Sequence, residues 1–242
     1  MRDQSPGASG SERGMRVLVV GEHALLCQGL VGLLAQGEHV EAVDTATSAQ
    51  EVLARVRQFR PDVILADGWA NDSSCLHLLD LLKTVVAEPK VILLSVDASD
   101  RVLLEALRAG VRGLLDPSAD VAQLIESVTE VARNETFVSK RLVRRLISRF
   151  ASDEEGRDGA SGGVASLTER ERQVLRAVAE GRTNRAIAAT LYLSEGTIRA
   201  HMRSIMRKLN AANRVQAATL AVRSGLTSPL DDHSDISLGV GE

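Results

Sequence analysis

PDVILADGWAN, residues 61–71, places four consecutive apolar side chains, Val63 to Ala66, directly before a carboxylate, Asp67. A short apolar run closed by a glycine and a polar loop reads as a strand buried on both faces. Working outward, β-branched runs recur at MRVLVV (15–20), VEAV (40–43), KVILLS (90–95) and GLL (113–115). Between them lie segments of helical period: HALLCQGLVGLLAQ, SAQEVLARVRQF, SSCLHLLDLLKTVV and RVLLEALRAG, with ADVAQLIESVTEVARN after the last run. Five strand–helix units predict an α/β domain with a five-stranded, doubly wound parallel sheet. The functional crevice of such a sheet lies beyond the carboxyl ends of its strands, where Gly21, Glu22, Asp67 and Ser95 fall.

The rest of the 242-residue chain divides by composition. Residues 1–14 are polar and Gly/Ser-rich and read as a disordered leader, with Met15 an alternative start. The α/β domain takes residues 15–134. Residues 135–163 supply a helix, SKRLVRRLISRFA, and an acidic Gly/Ser-rich flexible linker. Residues 164–228 form a separate all-α, four-helix unit, and 229–242 an acidic disordered tail. No apolar run approaches the ~20 residues that span a bilayer. Cys27 and Cys75 lack metal or CxxC spacing and suggest a reduced, cytoplasmic protein. The five histidines are scattered and no triad is grouped in the crevice, so neither an enzyme nor a metal centre is expected.

A net charge of −3 conceals an asymmetry: residues 164–226 carry 11 basic and 4 acidic side chains, or +7, in an otherwise acidic chain. Thr168 caps a first helix that ends at Gly181. A short helix follows from Thr183, Asn184 and Arg185, whose free N–H groups suit phosphate. Ser194 then caps a third helix, with Glu195 in its first turn. Ile198, Met202, Ile205 and Leu209 give it an apolar stripe, while Arg199, Arg203 and Arg207 stack on an outward ridge. Two helices joined by a short turn, the second buried on one side and arginine-lined on the other, match a helix-turn-helix for double-stranded DNA. Only Glu195 is spaced to neutralise the ridge locally, so an external anion is expected there.

The segment LTERERQVL…GRTNRAIAATLYLSEGTIRAHMRSIMRKLNAANRVQAATLA closely resembles the LuxR-type helix-turn-helix output domain. The resemblance implies that Arg199, Ala200 and Arg203 face bases. It places Asn184, Ser194, Thr197, Lys208 and Arg214 at phosphate or framing positions, and the last helix, Asn213 to Arg223, at a dimer contact.

The five-unit domain with NETFVSKRLVRRLI is similar to the receiver domain of NarL/FixJ family response regulators. That family phosphorylates a strand-end Asp, which Asp67 matches, using two acids, a Ser/Thr, a Lys and Mg²⁺. Here Gly21 and Glu22 stand for the acid pair, Asp116 and Pro117 for the Lys, and Leu114 for an aromatic switch residue. Residues 69–71 (WAN) replace the usual Met-Pro, and only Asp67 and Ser95 are as the family has them. Glu22 and Asp67 would be the ligands were Mg²⁺ to bind; no other cofactor is implied. Each lost charge stabiliser costs roughly 3 kcal/mol of barrier. The expectation is therefore an atypical regulator independent of receiver phosphorylation. It would act as a homodimer or with a related regulator, with RNA polymerase a further partner and no membrane contact. The alternatives are a conventional switch on Asp67 and a regulator that binds a small molecule at the crevice.

Overall fold

The computed structural model describes residues 14–67, 74–94, 99–152, 160–211 and 213–227. Readings for Ser95, residues 69–71, all but the last residue of the leader, most of the linker, and the tail lie outside the described residues.

Six parallel strands, β1 (Met15–Val20), β2 (Val40–Ala46), β3 (Val63–Asp67), β4 (Val91–Leu94), β5 (Gly113–Leu115) and β6 (Phe137–Val138), form one sheet in the order β2-β1-β3-β4-β5-β6. The sixth strand corrects the expected five. It is two residues long, so no periodicity announces it, and the Phe137 N–H bonded to the Arg112 carbonyl at 2.9 Å holds it.

The pleat sends alternate side chains to opposite faces. Val17, Val19, Val63, Leu65, Ile92 and Leu94 pack under α1 (Ala24–Leu34) and α5 (Val121–Ala132). Leu18, Val20, Ile64, Ala66, Val91 and Leu93 pack under α2 (Ala49–Phe59), α3 (Ser74–Lys83) and α4 (Asp100–Ala109). Helices on both faces leave the strand ends as the open crevice, with Asp67 closing β3 beside β1.

Helix α6 (Lys140–Ser152) leaves the sheet and packs on the C-terminal unit. Its Leu142, Val143, Leu146 and Ile147 are buried in a core shared by α4 and the last helix. That unit comprises α7 (Ala160–Ala165), α8 (Glu169–Ala179), α9 (Asn184–Leu191), α10 (Glu195–Leu209) and α11 (Arg214–Arg223). Helix α7 lies where a flexible linker is expected. Its Gly/Ser-rich sequence has low helix propensity, and packing supplies the order: Val164 is buried, and a Cβ on Gly163 would sit 3.2 Å from a Leu209 methyl.

Candidate nucleic-acid interface and strand-end pocket

Helices α8 to α11 each start on a side-chain cap. Thr168 and Glu171 form a reciprocal capping box on α8, and the Thr183, Ser194 and Asn213 side chains cap α9, α10 and α11. Tyr192 in the left-handed region (φ 54°) turns the chain between α9 and α10. Ile198, Met202, Ile205 and Leu209 are buried, so the opposite face of α10 presents Ala200, Arg203 and Arg207 to the exterior. Arg185 and Ser194 are exposed, and Thr183 and Thr197 are half-buried.

Three expected DNA-facing or framing residues are engaged inside the unit. Lys208 Nζ donates to Glu171 Oε2 at 2.6 Å, and Ser204 donates to Glu171 Oε1 at 2.7 Å. Burial would raise the Glu171 carboxyl. Hydrogen bonds from Lys208, the Thr168 N–H and Ser204 outweigh that and lower it to about 2. Asn184 is buried and accepts from Arg214 at 3.3 Å; Arg214 also donates to the Arg182 carbonyl. These contacts frame the helix-turn-helix.

Helix α10 faces the α/β domain. Arg199 Nε lies 3.9 Å from Glu135 Oε1, and its Nη1 3.8 Å from Glu195 Oε2. Arg133 Nη1 approaches Glu195 Oε2 at 3.8 Å. Burial raises the Glu135 carboxyl, opposed by the charges of Arg199, Arg203 and Arg214. Glu130, 7% exposed on α5, lies within the field of Arg214, which is itself buried. The anion beside the arginine ridge is thus a carboxylate of the same chain. Glu130, Glu135 and Arg133 carry no local signal in the sequence, because their partners lie in the other domain.

At the strand ends, Asp67 is 4% exposed and His23 Nδ1 lies 4.0 Å from its Oδ2, a neighbour the scattered histidines do not suggest. Glu22 is exposed. A Cβ on Gly21 would lie 3.0 Å from Cys27 Sγ and 3.4 Å from Asp67 Cβ, so the thiol crowds the place of the first acid. Burial and then the Asp67 charge push the Cys27 thiol up.

Asp116 is engaged by its own turn and by α6. It accepts from the Ser118 hydroxyl at 2.5 Å and backbone at 2.8 Å, and Arg141 of α6 is 3.7 Å away. Burial raises its carboxyl, but these bonds and the Arg141 and Arg145 charges bring it below the usual range. Pro117 follows, exposed, and Leu114 is fully buried in β5. No group of three His, Cys, Asp or Glu that could hold a metal ion occurs among the described residues. Nor is any helix among them long and apolar enough to cross a membrane.

Comparison with known proteins agrees with both halves. Residues 17–129 match the response regulator receiver domain, and residues 165–221 match the bacterial regulatory proteins of the luxR family. The nitrate/nitrite response regulator protein homolog of Haemophilus influenzae is 30% identical over 206 residues, covering 85% of this chain and 95% of that protein. The DNA-binding transcriptional activator DevR/DosR of Mycobacterium tuberculosis is 29% identical, covering 90% and 99%. Among solved structures, the Salmonella typhimurium RcsB response regulator shares the fold, with a TM-score of 0.51 at 21% identity over 82% of this chain and 93% of that one. A structure of two RcsB dimers bound to two parallel DNAs matches with a TM-score of 0.50 at 21% identity, covering 88% and 100%. Relatives of this kind are regulators and not enzymes, and the chain belongs to the NarL-type response regulators: a receiver domain joined to a LuxR-type DNA-binding domain.

Proposed function

We propose that this regulator controls transcription without phosphorylation of Asp67, and that the closed arrangement of its domains is the resting state. The observation that carries the first part is the strand-end pocket. Cys27 crowds the place of one acid, Glu22 is exposed, and Asp116, where a Lys would neutralise an incoming phosphoryl group, is bonded to Ser118. Mg²⁺ is usually held by one or two carboxylates with waters completing its octahedron; the candidates here are a buried carboxylate, Asp67, and an exposed one, Glu22, and no group of three potential ligands gathers among the described residues. Asp67 at this site acts as a buried strand-end carboxylate beside His23.

The arrangement of α10 supports the second part. Arg199, at a base-facing position by family resemblance, is engaged by Glu135 and Glu195. A DNA duplex competes with these carboxylates for the arginine ridge. Opening the domains frees Arg199 and lets it join the exposed Ala200, Arg203 and Arg207 at the bases, with Arg185, Thr183, Ser194 and Thr197 at the backbone. Residues 15–134 then act as the regulatory domain, 135–163 as the connection and 164–228 as the reader. RcsB has been observed as dimers on DNA. A homodimer, or a pair with a related regulator, reads half-sites one helical turn apart here as well. RNA polymerase is the downstream partner, and the compartment is the cytoplasm.

Mass spectrometry of the chain from cells, with Asp67→Ala as reference, tests the proposal. The expected result is unmodified Asp67 and equal DNA affinity for the two proteins. Phospho-Asp at position 67, coupled to tighter DNA binding, would overturn it.

A further inference from the structure

We propose that Glu130 makes domain closure proton-linked: closing the receiver on the helix-turn-helix buries its carboxyl in the neutral form, and its ionisation loosens the contact. The inference rests on reading the closed form as the resting state.

The geometry isolates this side chain. Glu130 is 7% exposed in the last turn of α5, and its Oε2 is buried with no hydrogen-bond partner. Every element packed around it brings charge. Glu126 and Arg133 come from α5 and its C-cap, Glu135 from the turn before β6, Glu195 from α10 and Arg214 from α11. Arg185 of α9, with Glu38 and His39 from the α1–β2 loop, lines the same cleft of about 600 Å³. The one cation closest in effect, Arg214, directs its N–H groups to the Asn184 side chain and the Arg182 carbonyl. It supplies field to Glu130 but no hydrogen bond, and a buried carboxylate without one is costly when ionised.

The sign follows from these contacts. Burial is the largest influence on Glu130 and favours the neutral form; Arg214 opposes it, and Glu126, Glu135 and Glu195 add to it. The carboxyl is raised to about 7. With the domains apart the side chain is solvated and returns to the usual carboxylate value of about 4.3. The closed form therefore binds an extra proton over the interval between these values. Its advantage is complete below the lower value and lost as pH rises through the upper one. Between pH 6 and pH 8 the closed-to-open ratio falls about tenfold. Glu135, also raised by burial, acts in the same direction.

Small-angle X-ray scattering of the full chain without DNA, from pH 5.5 to 8.5, tests this. The wild type is expected to expand as pH rises through 7, whereas Glu130→Gln, a permanent neutral mimic, keeps only the smaller part of that expansion that Glu135 contributes. Glu126→Gln removes one like charge and is expected to move the expansion to lower pH. This variant decides the matter if circular dichroism finds Glu130→Gln misfolded. A wild type compact at every pH, or an unmoved midpoint in Glu126→Gln, overturns the proton link while leaving the closed form intact. A wild type expanded at every pH overturns the closed form itself.

Discussion

Reversing one charge on the receiver should release the DNA-reading helix. In Glu135→Lys an ammonium replaces the carboxylate that lies 3.9 Å from Arg199 and within the field of Arg203 and Arg214. Two unit charges at this distance interact by about 4 kcal/mol at an effective dielectric of 20. The side chains here are 28% and 17% exposed, so screening brings the pair down to about 0.5–1 kcal/mol. Reversal removes that attraction and adds a comparable repulsion from Arg199, with smaller ones from Arg203 and Arg214. The closed form is then weakened by about 2 kcal/mol in all, a factor of roughly 30. Because affinity for DNA is reduced by the fraction of open molecules, apparent affinity rises by up to that factor. Fluorescence anisotropy with a duplex selected from a random library reads it. Glu135→Gln is the control: burial holds this carboxyl above its usual range, so neutralising it does not open the domains and leaves DNA binding equal or weaker. The reasoning fails if Glu135→Lys binds DNA no better than wild type, or if Glu135→Gln binds tenfold better.

Three further outcomes follow from the same contacts. Arg203→Ala should weaken specific sites by about 1–3 kcal/mol and relax preference at one base position; an equal loss on all duplexes in a competition assay would make Arg203 a phosphate contact only. Glu171→Gln should destabilise the helix-turn-helix by about 1–2 kcal/mol at pH 7, a value discounted for the partly exposed Lys208. Because the Glu171 carboxyl is lowered to about 2 in the folded state, that contribution is present above the usual carboxylate range and disappears as pH falls through 2; calorimetric melts of both proteins across pH check it. Gly113→Ala should cost about 1–3 kcal/mol by overpacking, since a Cβ there would lie 2.6 Å from Ile92 Cγ1, and thermal denaturation measures it.

Locally encoded features are legible in the sequence. β1 and β5 lie where MRVLVV and GLL place them, because fully buried parallel strands announce themselves as apolar runs. The caps at Thr168, Thr183 and Ser194 are chemical facts of one turn of chain, and the arginine ridge is a matter of spacing by four. Features set by tertiary contact were not legible. Helix α7 forms in a Gly/Ser-rich stretch because Val164 has a core to enter, and β6 exists through an edge of β5. Lys208 reads as one more DNA cation until α8 brings Glu171 against it. The sequence points to an external anion for Arg199 and does not show that Glu135 of the other domain also lies beside it. The departures at Gly21, Glu22 and Asp116 were visible, but not that Cys27 and Ser118 had taken up the space and the hydrogen bonds concerned.

The most direct test of phosphorylation-independent control is a DNA titration of the full chain with and without beryllofluoride and Mg²⁺, read by anisotropy alongside size-exclusion chromatography. The account predicts superimposable binding curves and an unchanged elution volume. A tenfold gain in DNA affinity, or conversion to a dimer on adding beryllofluoride, would contradict it.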